Sequence, residues 1–243
     1  MIRRFVVVVL LLFVFPVAAN AVTTSPPRAV IVVAGTFGPA FFYEPLAKRL
    51  RADGYSVGIF QLTALGTADI RTSARDLDRF SDDFRARTGA SSVALVAHSQ
   101  GGLVARQYIR SGGAAEVSAL VNLAAPNYGT IVATIANFFG GGNCLRIVAC
   151  QQMKVGSSFL NDLNAGPDTI GSVRYTNLYT VLDELVRPVD NARMNDGATN
   201  VLVQSQCPLR TVAHVGMAFD GTVYDGVQDA LLGKPVQLNC FAL

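Results

Sequence analysis

Short apolar segments alternate with amphipathic segments along most of this chain. The apolar runs are rich in β-branched residues and predict strands at residues 29–34, 55–62, 92–97, 117–123, 173–180 and 200–204. The amphipathic segments carry apolar residues at helical spacing and predict helices at residues 43–51, 69–88, 100–109 and 221–232. This alternation is typical of an α/β fold with a mostly parallel central sheet and helices on both faces.

Residues 126–164 interrupt the alternation. Within this segment, Phe138 and Phe139 precede three consecutive glycines, Gly140 to Gly142. Apolar side chains beside a glycine run predict a partly exposed element near a functional site, with an ordinary surface insertion as the alternative. We expect Phe138 and Phe139, together with Phe37 from an earlier loop, to contact a bound substrate.

The first 21 residues have the features of an export signal. Arg3 and Arg4 precede an apolar run at residues 5–15, and Ala19-Asn20-Ala21 is a small-x-small cleavage motif. The run is about 11 residues long, whereas a membrane-spanning helix needs about 20. We expect a cleaved signal peptide at residues 1–21, an extracellular location and one domain at residues 22–243. The alternative is an uncleaved membrane anchor.

The charge of the chain is nearly balanced once the predicted signal is removed. The full chain has 20 basic and 17 acidic side chains, and residues 1–21 contain two of the basic ones. No basic patch or run of charge stands out along the sequence. A nucleic-acid partner is therefore not expected.

Four cysteines follow the predicted signal, and an even number in an exported protein indicates two disulfides. Three pairings are possible, and the sequence alone does not choose among them. We favour Cys144–Cys150, which closes a short local loop, and Cys207–Cys240, which brackets the C-terminal segment. A metal site is the alternative, but the chain has no Cys-x-x-Cys pair, and we expect no bound metal.

The segment Ala97-His98-Ser99-Gln100-Gly101-Gly102 joins a predicted strand to a predicted helix. A serine on such a tight turn presents its hydroxyl away from the backbone, and the turn needs small flanking residues. Ala97 and Gly101 meet that need, although glycine is usual at the first position. Ser99 is therefore the candidate nucleophile, with a simple helix cap as the alternative.

A serine nucleophile needs a base, and the chain has only two histidines. His98 lies next to Ser99 and is interpreted as a packing or hydrogen-bonding residue beneath the site. His214 follows the last predicted strand and is the candidate base. The orienting carboxylate should lie between the nucleophile and the base in chain order, after a strand. Asp183 fits best, and Glu184 is its nearest rival.

Two backbone N–H groups are needed to bind the negative charge that develops on the substrate. We expect one from Gln100 and the other from Thr36, whose hydroxyl is a candidate third donor; Phe37 is the alternative amide. A Gly-x-x-Gly segment after a strand is also found in phosphate loops. Because no Gly-Lys-Ser/Thr follows Gly35-Thr36-Phe37-Gly38, and no Gly-x-Gly-x-x-Gly occurs in the chain, a bound nucleotide is not expected.

These segments together resemble secreted lipases of the α/β-hydrolase superfamily, both the small bacterial type and the fungal lipase B type. The resemblance rests on Ala34-Gly35-Thr36, His98 to Gly102, Ala124 to Thr130, Asn177-Leu178-Tyr179, Asp183 to Val186, and His214-Val215-Gly216. The chain departs from these lipases at Ala97, in lacking a histidine before Gly35, and in having no tryptophan.

The resemblance implies the α/β-hydrolase fold and hydrolysis of carboxylic esters, above all triacylglycerols, through an acyl-enzyme without a cofactor. It also implies a lipid or other ester substrate, transient contact with a lipid interface, and a monomer. A secreted acyltransferase with the same triad is the alternative, and product analysis with and without added alcohol would separate the two. A non-catalytic binding protein on a hydrolase scaffold is the third hypothesis.

Overall fold

The computed structural model describes residues 28–131, Phe138 and residues 144–243. The predicted signal at residues 1–21, Phe139 and Gly140 to Gly142 lie outside these described residues. The sheet has six strands, which are β1 (Ala29–Val33), β2 (Ser56–Phe60), β3 (Val93–His98), β4 (Val117–Leu123), β5 (Arg174–Tyr179) and β6 (Thr199–Leu202). Their order is β2-β1-β3-β4-β5-β6, and every neighbouring pair is parallel. The predicted parallel α/β sheet is therefore confirmed.

Four longer helices follow the predicted segments closely. They are α1 (Glu44–Ala52), α2 (Ile70–Thr88), α3 (Gln100–Arg110) and, at the end of the chain, α7 (Gly221–Leu232). Between residues 144 and 243, three short helices were not predicted, and they are α4 (Val148–Gln152), α5 (Ser158–Leu163) and α6 (Val203–Gln206). Within the described ranges, no helix has both the length and the apolar character needed to cross a bilayer.

The boundaries of α2 show how local sequence sets a helix. The side chain of Asp69 caps the first turn by accepting a hydrogen bond of 2.7 Å from the backbone N–H of Arg71. Gly89 ends the helix in the left-handed conformation, at φ 70°. Between these two residues, apolar side chains such as Leu77 and Phe84 are buried along one face.

Helices cover both faces of the sheet because successive strand side chains point in opposite directions. On β1, Ile31 and Val33 belong to an apolar cluster with the buried faces of α2 and α3. Val30 and Val32 belong to a second cluster, which contains the apolar residues of α1 and α7. Every residue of β1 is buried, as expected for a central strand of a parallel sheet.

The carboxyl ends of the parallel strands lie along one edge of the sheet, where α/β proteins bind ligands. Ser99 directly follows β3, and Thr36 lies three residues after the end of β1. Asp183 comes four residues after β5. His214 comes after β6 and α6, so all four residues belong to loops at the same edge.

The structure contains both disulfides, in the pairing that the sequence favours. The Cα atoms of Cys144 and Cys150 are 5.7 Å apart, and those of Cys207 and Cys240 are 5.3 Å apart. Within the described residues there is no free cysteine. The second bond ties the C-terminal segment to the end of α6.

Replacing Cys207 and Cys240 together by serine is expected to destabilise the protein more than the same change at Cys144 and Cys150. The bonds span 33 and 6 residues. In the chain-entropy model these loops correspond to about 4 and about 2 kcal/mol of unfolding free energy. Urea unfolding of the two double variants against the parent measures both losses. An equal or larger loss for the Cys144/Cys150 variant would contradict the expectation.

Candidate active site

The turn that carries Ser99 is tight enough to exclude side chains at two neighbouring positions. Ser99 itself has φ 54° and ψ −128°, a conformation that non-glycine residues rarely adopt. A Cβ atom on Gly101 would lie 2.5 Å from the carbonyl oxygen of Ala34, and one on Gly102 would lie 2.4 Å from the Cβ of Ala125. Glycine at position 101 lets α3 begin directly against the end of β1, and glycine at position 102 lets it pack closely against the end of β4 and the loop that follows.

Ser99, His214 and Asp183 form a continuous chain of hydrogen bonds. The Nε2 atom of His214 lies 2.8 Å from the hydroxyl oxygen of Ser99. Its Nδ1 atom lies 2.9 Å from Oδ2 and 3.0 Å from Oδ1 of Asp183. The side chains of His214 and Asp183 are each only 2% exposed. The structure thus brings together the three residues that the sequence predicts to be nucleophile, base and acid.

Asp183 is held in place by the backbone that follows it. Its Oδ1 atom accepts hydrogen bonds from the N–H groups of Leu185, at 2.8 Å, and Val186, at 2.7 Å. The neighbouring Glu184 has a different partner, because its Oε2 atom accepts a 3.0 Å hydrogen bond from the backbone N–H of His214. Both acidic side chains therefore contact His214, but only Asp183 contacts the imidazole.

Two backbone N–H groups near Ser99 have no acceptor within the described part of the chain, those of Thr36 and Gln100. The alternative donor, the N–H of Phe37, donates instead to the carbonyl of Leu65 at 2.8 Å. The hydroxyl of Thr36 is also engaged, since it donates to Oε1 of Gln100 at 2.5 Å. The Thr36 hydroxyl is therefore not a free third donor in this structure.

A largely apolar cleft of about 180 Å³ opens over Ser99 and His214. Two of the predicted substrate contacts lie in its wall, and the rings of Phe37 and Phe138 are 5.6 Å apart. The sequence did not predict three further apolar lining residues, Phe42, Leu185 and Val215. Val215 directly follows His214, so its position next to the candidate base could have predicted that it lines the cleft.

His98 lies beneath the cleft and is hydrogen-bonded, as the sequence suggests. Its ring is 5.1 Å from that of His214, and its side chain contacts Tyr43. Burial and, to a smaller extent, the nearby His214 together lower the pKa of His98 to about 3. His98 is therefore neutral across the physiological pH range.

One group of three carboxylates in the described ranges is close enough to share a cation, with ligand atoms within 4.8 Å of one another. It consists of Asp78, Asp82 and Glu116. Burial raises the pKa of Asp78, and so do the other two carboxylates. Arg85 already forms ion pairs with Asp82, at 2.6 Å, and with Glu116, at 2.7 Å. We interpret the group as a surface ion-pair network and assign no metal to it.

The chain is similar to known lipases, both in a family match and in its fold. Residues 30–225 match the family described as lipase (class 2). Among solved structures, lipase B of Aspergillus fumigatus has a TM-score of 0.74 and 19% identity, with 87% of this chain and 53% of that chain covered. A lipase of Bacillus licheniformis in its mature form has a TM-score of 0.67 and 18% identity, with 89% and 95% covered.

These two structural likenesses show a shared fold. The chain spans about half the length of the Aspergillus chain and nearly the whole of the mature Bacillus chain. No curated protein sequence matches it.

Proposed function

Because the chain belongs to the lipase (class 2) family, we propose that it is a secreted serine hydrolase that cleaves carboxylic esters. Ser99 is the nucleophile, His214 the general base and Asp183 the acid that orients it. The observation that carries the proposal is the hydrogen-bond chain from Asp183 through His214 to the hydroxyl of Ser99. In that arrangement a general base, oriented by a carboxylate, activates a serine hydroxyl.

The first half of the proposed reaction forms an acyl-enzyme. The hydroxyl oxygen of Ser99 attacks the ester carbonyl carbon while Nε2 of His214 takes the hydroxyl proton. The carbonyl electron pair moves onto its oxygen, which the N–H groups of Thr36 and Gln100 stabilise. When the carbonyl re-forms, the bond to the alcohol oxygen breaks, and the alcohol leaves with the proton from His214.

The second half releases the acid. Nε2 of His214 takes a proton from water, and the hydroxide attacks the acyl carbon on Ser99. Breakdown of this second tetrahedral intermediate breaks the bond to the serine oxygen, which regains the proton from His214. The carboxylate of Asp183 accepts the hydrogen bond from the Nδ1–H group of His214, which leaves Nε2 free to accept a proton.

The apolar wall of the cleft supports a preference for medium or long acyl chains, including those of triacylglycerols. Phe37, Phe138 and Leu185 line the space beside Ser99. An apolar pocket contributes up to about 0.8 kcal/mol for each methylene that it buries. In practice, partial burial reduces this gain.

We expect kcat/KM for p-nitrophenyl octanoate to exceed that for the acetate by roughly tenfold to a hundredfold. The acetate, butyrate, octanoate and palmitate esters, each below its aggregation limit, make up the test series. Phe138→Ala should lower kcat/KM for octanoate and spare acetate. Phe241→Ala is the matched control, because Phe241 is 89% exposed and does not line the cleft. A steady fall of kcat/KM from the acetate to the octanoate ester would contradict this preference and indicate a short-chain esterase.

Export is part of the proposal, with residues 1–21 as the signal and residues 22–243 as the catalytic domain. Two disulfides support it, because such bonds persist in oxidising compartments. N-terminal sequencing of the exported protein is the direct test. A mature chain that begins at Val22 would support the cleavage site, and retention of Arg3 and Arg4 would contradict it.

A further inference from the structure

Two buried side chains that take no part in the proposed reaction connect the loop of Gly35 to the loop of His214. The backbone N–H of Gly35 donates to the hydroxyl oxygen of Tyr43 at 2.7 Å. That hydroxyl lies 2.9 Å from Nδ1 of His98, and Nε2 of His98 lies 3.1 Å from the carbonyl oxygen of His214. We call the side chains of Tyr43 and His98, with these contacts, the Tyr43–His98 bridge.

The partners at each end determine where the protons lie. The carbonyl oxygen of His214 can only accept a hydrogen bond, so Nε2 of His98 must carry a proton. A neutral imidazole has one N–H, which leaves Nδ1 as an acceptor. The hydroxyl of Tyr43 therefore donates to Nδ1 of His98 and accepts from the N–H of Gly35. Each polar group of the bridge then has a partner of the right kind.

Burial keeps both side chains in these protonation states. Tyr43 is 1% exposed and His98 is 5% exposed. Burial raises the pKa of Tyr43 to about 12 and lowers that of His98 to about 3, so both side chains are neutral when the enzyme works. A neutral His98 also avoids repulsion with His214 when that residue takes the proton of Ser99.

The ends of the bridge lie at the two loops that must be aligned for catalysis. Gly35 precedes Thr36, whose N–H is a proposed oxyanion donor. The other end is the backbone of His214, the proposed base. Gly35 also packs against the serine turn, because a Cβ atom there would lie 3.1 Å from Nδ1 of His98 and 3.1 Å from the Cβ of Ser99.

We propose that Tyr43 and His98 are positioning residues. Through this hydrogen-bonded bridge they fix the loop of Gly35 and Thr36 relative to the loop of His214. The inference rests on the proposed function of Ser99 and His214. Both residues line the cleft, but their polar atoms bond to each other and to backbone groups, and not to the hydroxyl of Ser99 or the ring of His214. Their contribution is therefore to orientation and should be visible in kcat more than in KM.

Tyr43→Phe is the decisive variant, because it removes one hydroxyl and keeps the ring. We expect kcat for p-nitrophenyl butyrate to fall roughly tenfold, with KM within about twofold of the parent. Tyr108→Phe is the matched control. Tyr108 is likewise buried, at 2% exposed, and its hydroxyl is hydrogen-bonded to the side chains of Ser81 and Glu116, away from the described cleft. Both variants should lose some thermal stability, but only Tyr43→Phe should lose kcat at a temperature well below unfolding.

Nitrogen-15 NMR of the imidazoles gives a second readout that does not depend on activity. The chain has only two histidines, so assignment needs few spectra. In the parent, Nε2 of His98 should be protonated and Nδ1 unprotonated, and Tyr43→Phe should shift the Nδ1 resonance. Equal kcat losses in Tyr43→Phe and Tyr108→Phe, or a protonated Nδ1 in the parent, would overturn the bridge. A parent protein without esterase activity would overturn the proposed function instead, and the NMR result would still decide the hydrogen-bond pattern.

Discussion

Ser99→Ala is expected to abolish ester hydrolysis while the fold stays intact. Loss of a serine nucleophile that acts within a triad lowers kcat by about 10⁶-fold. Steady-state hydrolysis of p-nitrophenyl butyrate, with the variant purified away from host esterases, measures the loss. Ser111→Ala is the control, because Ser111 ends α3 at its other terminus and its side chain contacts Gln107.

The fold should survive this change because the strain at residue 99 is in the backbone. Alanine adopts φ 54° no more easily than serine does, so the turn stays as strained as before. We expect an unfolding midpoint close to that of the parent by circular dichroism. Near-normal turnover in a cleanly folded Ser99→Ala protein would end the serine-hydrolase proposal.

Asp183→Asn is expected to lower kcat by about 10⁴-fold through the tautomer of His214. The backbone N–H groups of Leu185 and Val186 donate to Oδ1, so an asparagine oxygen would stay there. Its NH₂ group would then face Nδ1 of His214 and donate to it. An imidazole that accepts at Nδ1 carries its proton on Nε2, and such a ring cannot take the proton of Ser99.

Glu184→Gln is the matched comparison, because it neutralises the adjacent carboxylate. Its side-chain oxygen can still accept from the backbone N–H of His214. We expect kcat within about fivefold of the parent. Rates for both variants with the same butyrate ester decide between the two acids. A severe loss in Glu184→Gln with a mild loss in Asp183→Asn would reverse the assignment.

The centre of the sheet could be predicted because strands such as β1 and β3 are buried on both sides. The fully apolar run of β1 and the Ala94–Ala97 part of β3 are distinctive in sequence for that reason. The predicted strand at residues 200–204 was too long at its end, since β6 stops at Leu202 and Val203 begins α6. At the sheet edge, packing rather than residue preference decides where a strand ends.

The fold relatives confirm the predicted α/β-hydrolase fold, and the family match confirms the resemblance to lipases. The triad roles and the oxyanion donors are proposals. The sequence could predict that the residues concerned lie close together, because each follows a strand of a parallel sheet and the carboxyl ends of such strands share one edge. Tyr43 and Leu185 could not be found this way. Tyr43 reaches the site by tertiary packing from the short 3-10 helix before α1, and Leu185 does so from the loop after β5. Nothing in the neighbouring sequence marks either direction.

Ser99 and His214 are 115 residues apart in the chain, yet their side chains meet at 2.8 Å. A sheet of parallel strands joins segments distant in sequence, and such topologies fold slowly. Since β6 is an edge strand, we expect the central strands β1, β3 and β4 to pair before β6 and the loop beyond it dock. A refolding chain would therefore carry its nucleophile for some time without a base. During refolding, the circular dichroism signal should then recover before the esterase activity, because activity needs the loop of His214 to have docked.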